Sequence, residues 1–299
     1  MRVVVDGHVG HRGTLGRPPR AGATSWPASQ TRGPATGVPC RMRLLALRCG
    51  DLRTDAGVLF EGRPSGTTAD VPIMTHAVDT GDGVLLWDTG INERCLSDLG
   101  AYLGPIMAQA FEAVGTPDTL TPARVEQAGF TVDDIRWVVN SHLHFDHCGC
   151  NRSYPVASWV VRAREVAFYR SKLADPRFGL GAEDLGPEQP PELDYDGEHD
   201  LTGDGSLVLL DTKGHTPGHQ SLQVTFPDGR RYVLVGDAAY SRDAVESGEP
   251  QGFPWDRELA RDALARLRAL EGEGATLLLA HDAAQWRDVR DVADVHTAA

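Results

Sequence analysis

The sequence predicts an α+β protein with a layered sheet core and helices outside it. Three observations lead there: short strand signals gather in two halves of the chain, amphipathic helical stretches are interspersed among them, and each cluster of His or Asp follows directly on a strand. Taken in order, residues 1–43 hold seven Arg and one Asp, are rich in Gly, Pro, Ser and Thr, and show no apolar period after Val5. The first 41 residues therefore read as a disordered extension ahead of a domain spanning residues 42–299. Asp82-Gly83 precedes Val84–Trp87, a short buried-strand pattern that ends in Asp88-Thr89-Gly90. Residues 92–133 read as helical, with Leu99, Leu103, Ile106 and Phe111 at spacings of three to five. Ile135–Asn140 and Ala157–Val161 read as strands, the second followed by a helix to about Arg170. Residues 171–200, with Pro187, Pro190 and Pro191, read as an irregular excursion. Leu207–Leu210 is a strand signal, and Leu222–Phe226 and Tyr232–Val235 flank the hairpin sequence Pro227-Asp228-Gly229-Arg230. Asp256 is placed to cap a helix from Arg257 to Leu270, with Leu259, Ala263, Leu267 and Leu270 as its inner stripe, and Thr276–Leu279 reads as the final strand.

Composition narrows the function. The 299 residues carry a formal net charge of −13, which argues against nucleic acid or an anionic membrane as the main partner, because both need a basic footprint. No apolar run approaches the roughly 18–20 residues of a membrane span. Five cysteines, at 40, 49, 95, 148 and 150, form no disulfide framework, and with no secretory signal they point to a reduced, cytoplasmic setting. No GxSxG elbow, GxxxxGK[ST] loop or CxxC pair is present.

The chemical signal is Ser141-His142-Leu143-His144-Phe145-Asp146-His147, three imidazoles and a carboxylate directly after a strand. On a loop, His142 and His144 point the same way, while Asp146 and His147 can turn to a second point nearby. Imidazole and carboxylate are ligands of zinc and similar divalent ions. Three further strand ends carry matching groups: Gly214-His215-Thr216-Pro217-Gly218-His219, Gly236-Asp237-Ala238-Ala239-Tyr240, and Ala280-His281-Asp282. Loops at one end of a sheet core are where sites form, and a donor set of this size can hold two ions.

The order HxHxDH, GHTPGH, Asp, His resembles that of the metallo-β-lactamase-fold hydrolases, over about Arg43–Asp282. Within that superfamily, His-Leu-His-Phe-Asp-His, His-Thr-Pro-Gly-His-Gln-Ser, Asp-Ala-Ala-Tyr and Ala-His-Asp resemble the N-acyl-homoserine lactonase branch. The resemblance implies a four-layer αββα sandwich and two divalent metal ions per chain, with zinc the expected ion. It places one ion on His142, His144 and His215, the other on Asp146, His147 and His281, and Asp237 between them. His219 is then a supporting residue, and Asp88 fixes the tautomer of a ligand imidazole. Two such ions lower the pKa of a shared water and polarise a carbonyl. Tyr240 matches a family tyrosine that hydrogen-bonds the carbonyl oxygen, and Asp146 can hand a proton to the leaving oxygen. Phe145, Leu103, Met107 and Phe111 are candidates to line an acyl pocket.

The implied activity is opening of a lactone ring, foremost in an N-acyl-homoserine lactone, which would quench quorum signalling. The alternative is hydrolysis of another small-molecule lactone, ester or thioester on the same fold. An RNA-processing nuclease fits poorly with an acidic domain, and a non-catalytic metal-binding module does not account for Tyr240 beside seven ligand positions. Cys148-Gly149-Cys150 departs from the small residues usual after the cluster and reads as two small buried side chains, because the ligand set is complete without them.

Overall fold

The computed structural model describes residues 41–298, apart from 61–62, 174, 176–177, 179, 186–191, 194 and 196. The tract read as an extension therefore lies, but for Arg41, outside the described residues. The first half of the chain runs β1 (Met42–Asp55), α1 (Ala56–Leu59), β2 (Thr68–Asp79), β3 (Val84–Trp87), α2 (Glu93–Leu103), α3 (Pro105–Ala110), β4 (Phe111–Val114), α4 (Thr121–Gln127), β5 (Ile135–Val139), α5 (Phe145–Cys148), β6 (Ser158–Arg162) and α6 (Ala163–Lys172). The second half runs β7 (Glu192–Leu193), β8 (His199–Asp200), β9 (Leu207–Asp211), β10 (Gln220–Thr225), β11 (Arg231–Leu234), α7 (Arg242–Ser247), α8 (Arg257–Gly272), β12 (Thr276–Leu278) and β13 (Val292–Ala298).

The strands form two sheets. One has the order β13-β1-β2-β3-β5-β6-β7 with β4 on β1, and the other the order β12-β11-β10-β9-β8. Each is covered by helices on one face. Leu45, Leu47, Ile73, Leu86 and Val138 of the first sheet pack with Leu99, Leu103, Met107 and Val125 of α2, α3 and α4. Leu210 and Val233 of the second pack with Ala263, Leu264 and Leu267 of α8. The alternate residues Leu44, Ala46, Met74 and Val78, and Leu209, Leu222, Val224 and Leu234, are just as buried. Side chains alternate between the faces of a strand, so both faces of both sheets are covered, and the sheets supply the second cover to each other. The result is an α+β sandwich of two central sheets between helical layers. Among the described residues no helix is long and apolar enough to cross a membrane.

Several local expectations hold in detail. The Pro227–Arg230 turn joins β10 to β11 with Thr225 opposite Arg231, and Gly229 takes φ +84°, where an L side chain is strained. Asp256 caps α8, its carboxylate accepting the amides of Glu258 and Leu259 at 3.0 Å each. Asp256→Ala is expected to cost about 1 kcal/mol of stability, read as a lower thermal midpoint with unchanged metal content. The buried stripe of α8 is Ala260, Ala263, Leu264 and Leu267, so Leu259 and Leu270 flank it rather than belong to it.

Other expectations are corrected. The 92–133 segment is not one helical stretch. Gly104 at φ +93° is followed by Pro105, which has no amide to continue α2, and a new helix starts there. Phe111–Val114 is strand β4, with Phe111 opposite Thr54 and Val114 opposite Asp51. Ile106 is 45% exposed and belongs to no core face. Thr276–Leu278 is not the last strand either, because β13 returns to the first sheet and pairs antiparallel with β1.

Candidate metal centre

The chain folds so that the strand ends bearing His and Asp meet. β3, β5 and β6 run parallel, as do β11 and β12, so their carboxyl ends lie on one side of each sheet. The loops that follow them carry Asp88, Ser141–His147, Asp237 and His281. His215 comes from the loop after β9. A crevice at the carboxyl ends of strands is the general place for a site in such sheets.

Two groups of donor atoms converge there: His142, His144, His215 and Asp237 in one, Asp146, His147 and His281 in the other, with the donor atoms of each within 4.8 Å of one another. In the first group Nδ1 of His144 lies 3.0 Å from Nε2 of His142 and 2.9 Å from Nε2 of His215. In the second, Oδ2 of Asp146 lies 3.7 Å from Nε2 of His147 and 3.6 Å from Nε2 of His281. Asp237 divides its carboxylate between them. Oδ2 faces the first group, 3.3 Å from His215 Nε2 and 3.7 Å from His142 Nε2. Oδ1 faces the second, 3.1 Å from His281 Nε2 and 3.2 Å from His147 Nε2.

The outer ring nitrogens are held by the protein, which fixes the inner ones. Asp88 Oδ2 accepts from His147 Nδ1 at 2.9 Å and from the Ser141 hydroxyl at 2.8 Å, while Oδ1 accepts the Ser141 amide at 2.7 Å. Ser141 Oγ in turn lies 3.0 Å from His142 Nδ1 and accepts its proton. His281 Nδ1 donates to the Pro72 carbonyl at 2.8 Å. Three of the imidazoles thus turn Nε2 inward. Asp88 does this from a strained backbone, at φ +57°, a conformation that Asp tolerates better than most residues.

His219 stands behind the centre rather than in it. Its Nε2 accepts the Asp237 amide at 2.9 Å, so its Nδ1 donates to Thr212 Oγ1, also at 2.9 Å. The Thr212 hydroxyl lies 2.9 Å from Ser221 Oγ, which donates to the Val235 carbonyl at 2.8 Å. That circuit fixes the Val235–Asp237 turn, and with it the carboxylate.

Burial and charge set the protonation pattern. Burial pushes His142 and His215 well below the usual imidazole value, and His144 down as well, so all three are neutral and can donate a lone pair. Burial works the same way on His147, but the carboxylates of Asp237, Asp146 and Asp88 outweigh it and hold the ring well above its ordinary value. His281 is raised likewise, burial being outweighed by Asp237 and Asp146. Burial opposes the charged form of Asp237, yet His147, His281 and His215 pull it well below the usual carboxylate range.

A divalent ion in each group fits these residues. His147 Nε2 and Asp237 Oδ1 are buried and lie 3.2 Å apart without the alignment of a good hydrogen bond, a costly state for polar atoms unless something binds them. Three ring nitrogens converging in the first group, with His144 Nδ1 at 3.0 Å from His142 Nε2 and 2.9 Å from His215 Nε2, ask for the same thing. A cation binding there displaces the proton that the carboxylates hold on His147.

The other residues singled out in the sequence fall around this centre. Tyr240 is buried between the groups, its ring centroid 5.8 Å from that of His215 and 5.5 Å from that of His281, edge-on to both. Burial, then Asp237 and Asp146, push its phenol well above its ordinary value, so it stays a donor. Phe145, Leu103 and Met107 are buried and Phe111 half-buried, in one apolar cluster with Tyr240. Cys148 and Cys150 are buried, their thiols pushed up by burial and directed to the carbonyls of Leu143 and Ile91, and neither joins a donor group.

Two features carried no sequence signal. Glu165, in the first turn of α6, is 1% exposed beside the ligand loops, and burial pushes its carboxyl up to about 7. Phe253 and Trp255, 67% and 52% exposed, lie on a loop strapped to the centre. The Trp255 amide donates to the His215 carbonyl at 2.9 Å, and a Cβ at Gly252 would lie 2.5 Å from the Tyr240 hydroxyl.

Comparison with known proteins gives a consistent picture. The model of the metallo-beta-lactamase superfamily matches residues 70–281. The chain is 27% identical over 257 residues to the N-acyl homoserine lactonase AttM of Rhizobium radiobacter, covering 83% of this chain and 96% of that protein. It is 27% identical over 255 residues to the N-acyl homoserine lactonase AiiA of Bacillus thuringiensis subsp. kurstaki, covering 83% and 96%. Among solved structures, it superposes with a TM-score of 0.72 at 24% identity on an N-acyl homoserine lactone hydrolase with the product N-hexanoyl-L-homoserine at its catalytic metal center, covering 83% of this chain and 96% of that one. The TM-score is 0.59 at 18% identity for AidC, a dizinc quorum-quenching lactonase, covering 85% and 90%.

Proposed function

The chain belongs to the metallo-beta-lactamase superfamily, and from that premise we propose that it is a two-metal hydrolase that opens lactone rings, N-acyl homoserine lactones foremost, and so quenches quorum signals. The observation that carries the reading is the divided carboxylate of Asp237, with Oδ2 at 3.3 Å from His215 and Oδ1 at 3.1 Å from His281. One carboxylate with a donor group at each oxygen is the arrangement that holds two ions close together. His142, His144 and His215 hold one, Asp146, His147 and His281 the other, and zinc is the ion proposed for both, since imidazole and carboxylate suit it. When bound, two such ions supply a nucleophile at neutral pH and polarise an ester carbonyl.

The remaining roles fall to the chain. Tyr240 donates its phenolic hydrogen to the carbonyl oxygen as charge builds there. Asp146 carries a proton on a carboxylate oxygen to the departing ring oxygen. Asp88 orients His147 directly and His142 through Ser141. The apolar wall of Phe145, Leu103, Met107 and Phe111 receives the acyl chain. The similarity to AttM and AiiA supports this substrate class. The described cysteines 49, 95, 148 and 150 are free, which supports a reducing, cytoplasmic setting.

Ring opening releases a proton, so a pH-stat assay over a panel of lactones, simple esters and thioesters tests the assignment. N-acyl homoserine lactones are expected to turn over with kcat/KM at least about tenfold above simple alkyl esters, a margin worth about 1.4 kcal/mol. Turnover of esters or thioesters with none of any lactone would mean that the substrate class is misassigned.

A further inference from the structure

Glu165 is the one side chain among those described here that takes the backbone amides of both loops carrying the first donor group. Its Oε1 accepts the amide of Leu143, the residue between His142 and His144, at 3.1 Å. Its Oε2 accepts the amide of Gly218, three residues after His215, at 3.0 Å. These loops follow β5 and β9, in different sheets, so the carboxylate ties the two sheets together at the metal centre. The approach is close. A Cβ at position 218 would lie 2.6 Å from the Glu165 amide nitrogen and 2.7 Å from its Cα. Since the obstacle is backbone, it cannot give way, and this explains the glycine within Gly214-His215-Thr216-Pro217-Gly218-His219. Burying a carboxylate is costly, and stabilising one helix would not require it to be 1% exposed and to reach two separate loops.

We infer that Glu165 is a positioning residue that sets the separation of His215 from His142 and His144, and through it the affinity of the first donor group for its ion. The carboxylate touches no donor atom of either group. It works through the backbone, by giving each loop an acceptor at a fixed distance from the other. Asp146 and His147 share the Leu143 loop and His281 lies on neither loop, so what the carboxylate sets is the spacing of that loop from His215, a spacing that only the first donor group spans, and the effect falls mainly on one of the two ions. A glutamine offers only one acceptor oxygen. Its NH2 would face the second amide donor to donor, leaving one buried N–H unsatisfied and pushing the loops apart. An aspartate keeps both oxygens but is one methylene shorter and cannot span the two amides.

The test is stepwise removal of zinc from the loaded full-length protein by chelators of graded strength, with ions per chain counted at each step. Glu165→Gln is expected to release one ion at a free-zinc concentration about 10- to 100-fold higher than the parent does, the range for residues that support metal ligands, and to keep the other within a fewfold of the parent. Glu165→Asp is expected to weaken the same ion, and it carries the test if Gln at this position does not fold. A merely structural role would lower the unfolding temperature of the stripped protein and weaken both ions together, and that outcome overturns the inference. So does retention of both ions as in the parent. The inference rests on the two-ion reading above: a parent protein that holds no ion overturns both, whereas two well-held ions in parent and variants alike overturn only the role given to Glu165.

Discussion

Replacing Asp237 by alanine is expected to lower metal content from two ions per chain to one or fewer and to reduce kcat/KM by more than about 10³-fold, beyond the 10- to 100-fold typical of a supporting residue. The expectation follows from geometry and charge together. Asp237 places one oxygen toward His215 and His142 and the other toward His281 and His147, all within 3.1–3.7 Å. Without it the first group is three neutral imidazoles with no carboxylate, and the second keeps only Asp146. Two dications close together then face half the compensating charge, so the pair cannot be held even if a single ion is. The fold is expected to survive, because the contact that fixes this turn is the Asp237 amide donating to His219 at 2.9 Å, and alanine keeps that amide. Metal quantified by elemental analysis in the same sample as the kinetics checks this. Two ions and parental turnover in the variant would remove Asp237 from the position between the metals.

Tyr240→Phe is expected to separate chemistry from metal binding. The ring keeps its edge-on contacts with His215 and His281 at 5.8 and 5.5 Å, and both ions stay. What is lost is one hydroxyl, which burial and the neighbouring carboxylates keep protonated. A donor aimed at charge that develops in the transition state acts mainly on kcat, and its removal should cost about 10- to 1,000-fold, or about 1.4 to 4 kcal/mol. An unchanged kcat across several lactones would show that the phenol does not meet the carbonyl oxygen. A loss of metal would instead make Tyr240 a ligand.

The centre was far more legible in the sequence than its scaffold. His142, His144, Asp146 and His147 sit within six residues after a strand, and no tertiary information is needed to see that they share a loop. His215, Asp237 and His281 were legible because each also follows a strand, though only the resemblance chose His215 over His219 four residues later. Glu165 was not, because a single acid in the first turn of an amphipathic helix looks like an ordinary exposed helix start, and only the packing of α6 on two loops reveals its targets. The same reason hid β13. Val292–Ala298 mixes small, polar and apolar residues, and only its pairing with β1 defines it. Over 92–133 the apolar spacing gave helical structure over Glu93–Leu103, kinked at Asp98, but continued into Phe111–Val114, where pairing with β1 overrides helical periodicity.

The most direct test of the two-ion centre is the number of tightly held divalent ions in the folded, chelator-free protein. Two groups of buried donors that share one carboxylate predict close to two ions per chain, mostly zinc, with turnover lost on chelation and restored on readdition. A folded protein that holds no ion, or one that opens lactones as fast after chelation as before it, would contradict the account.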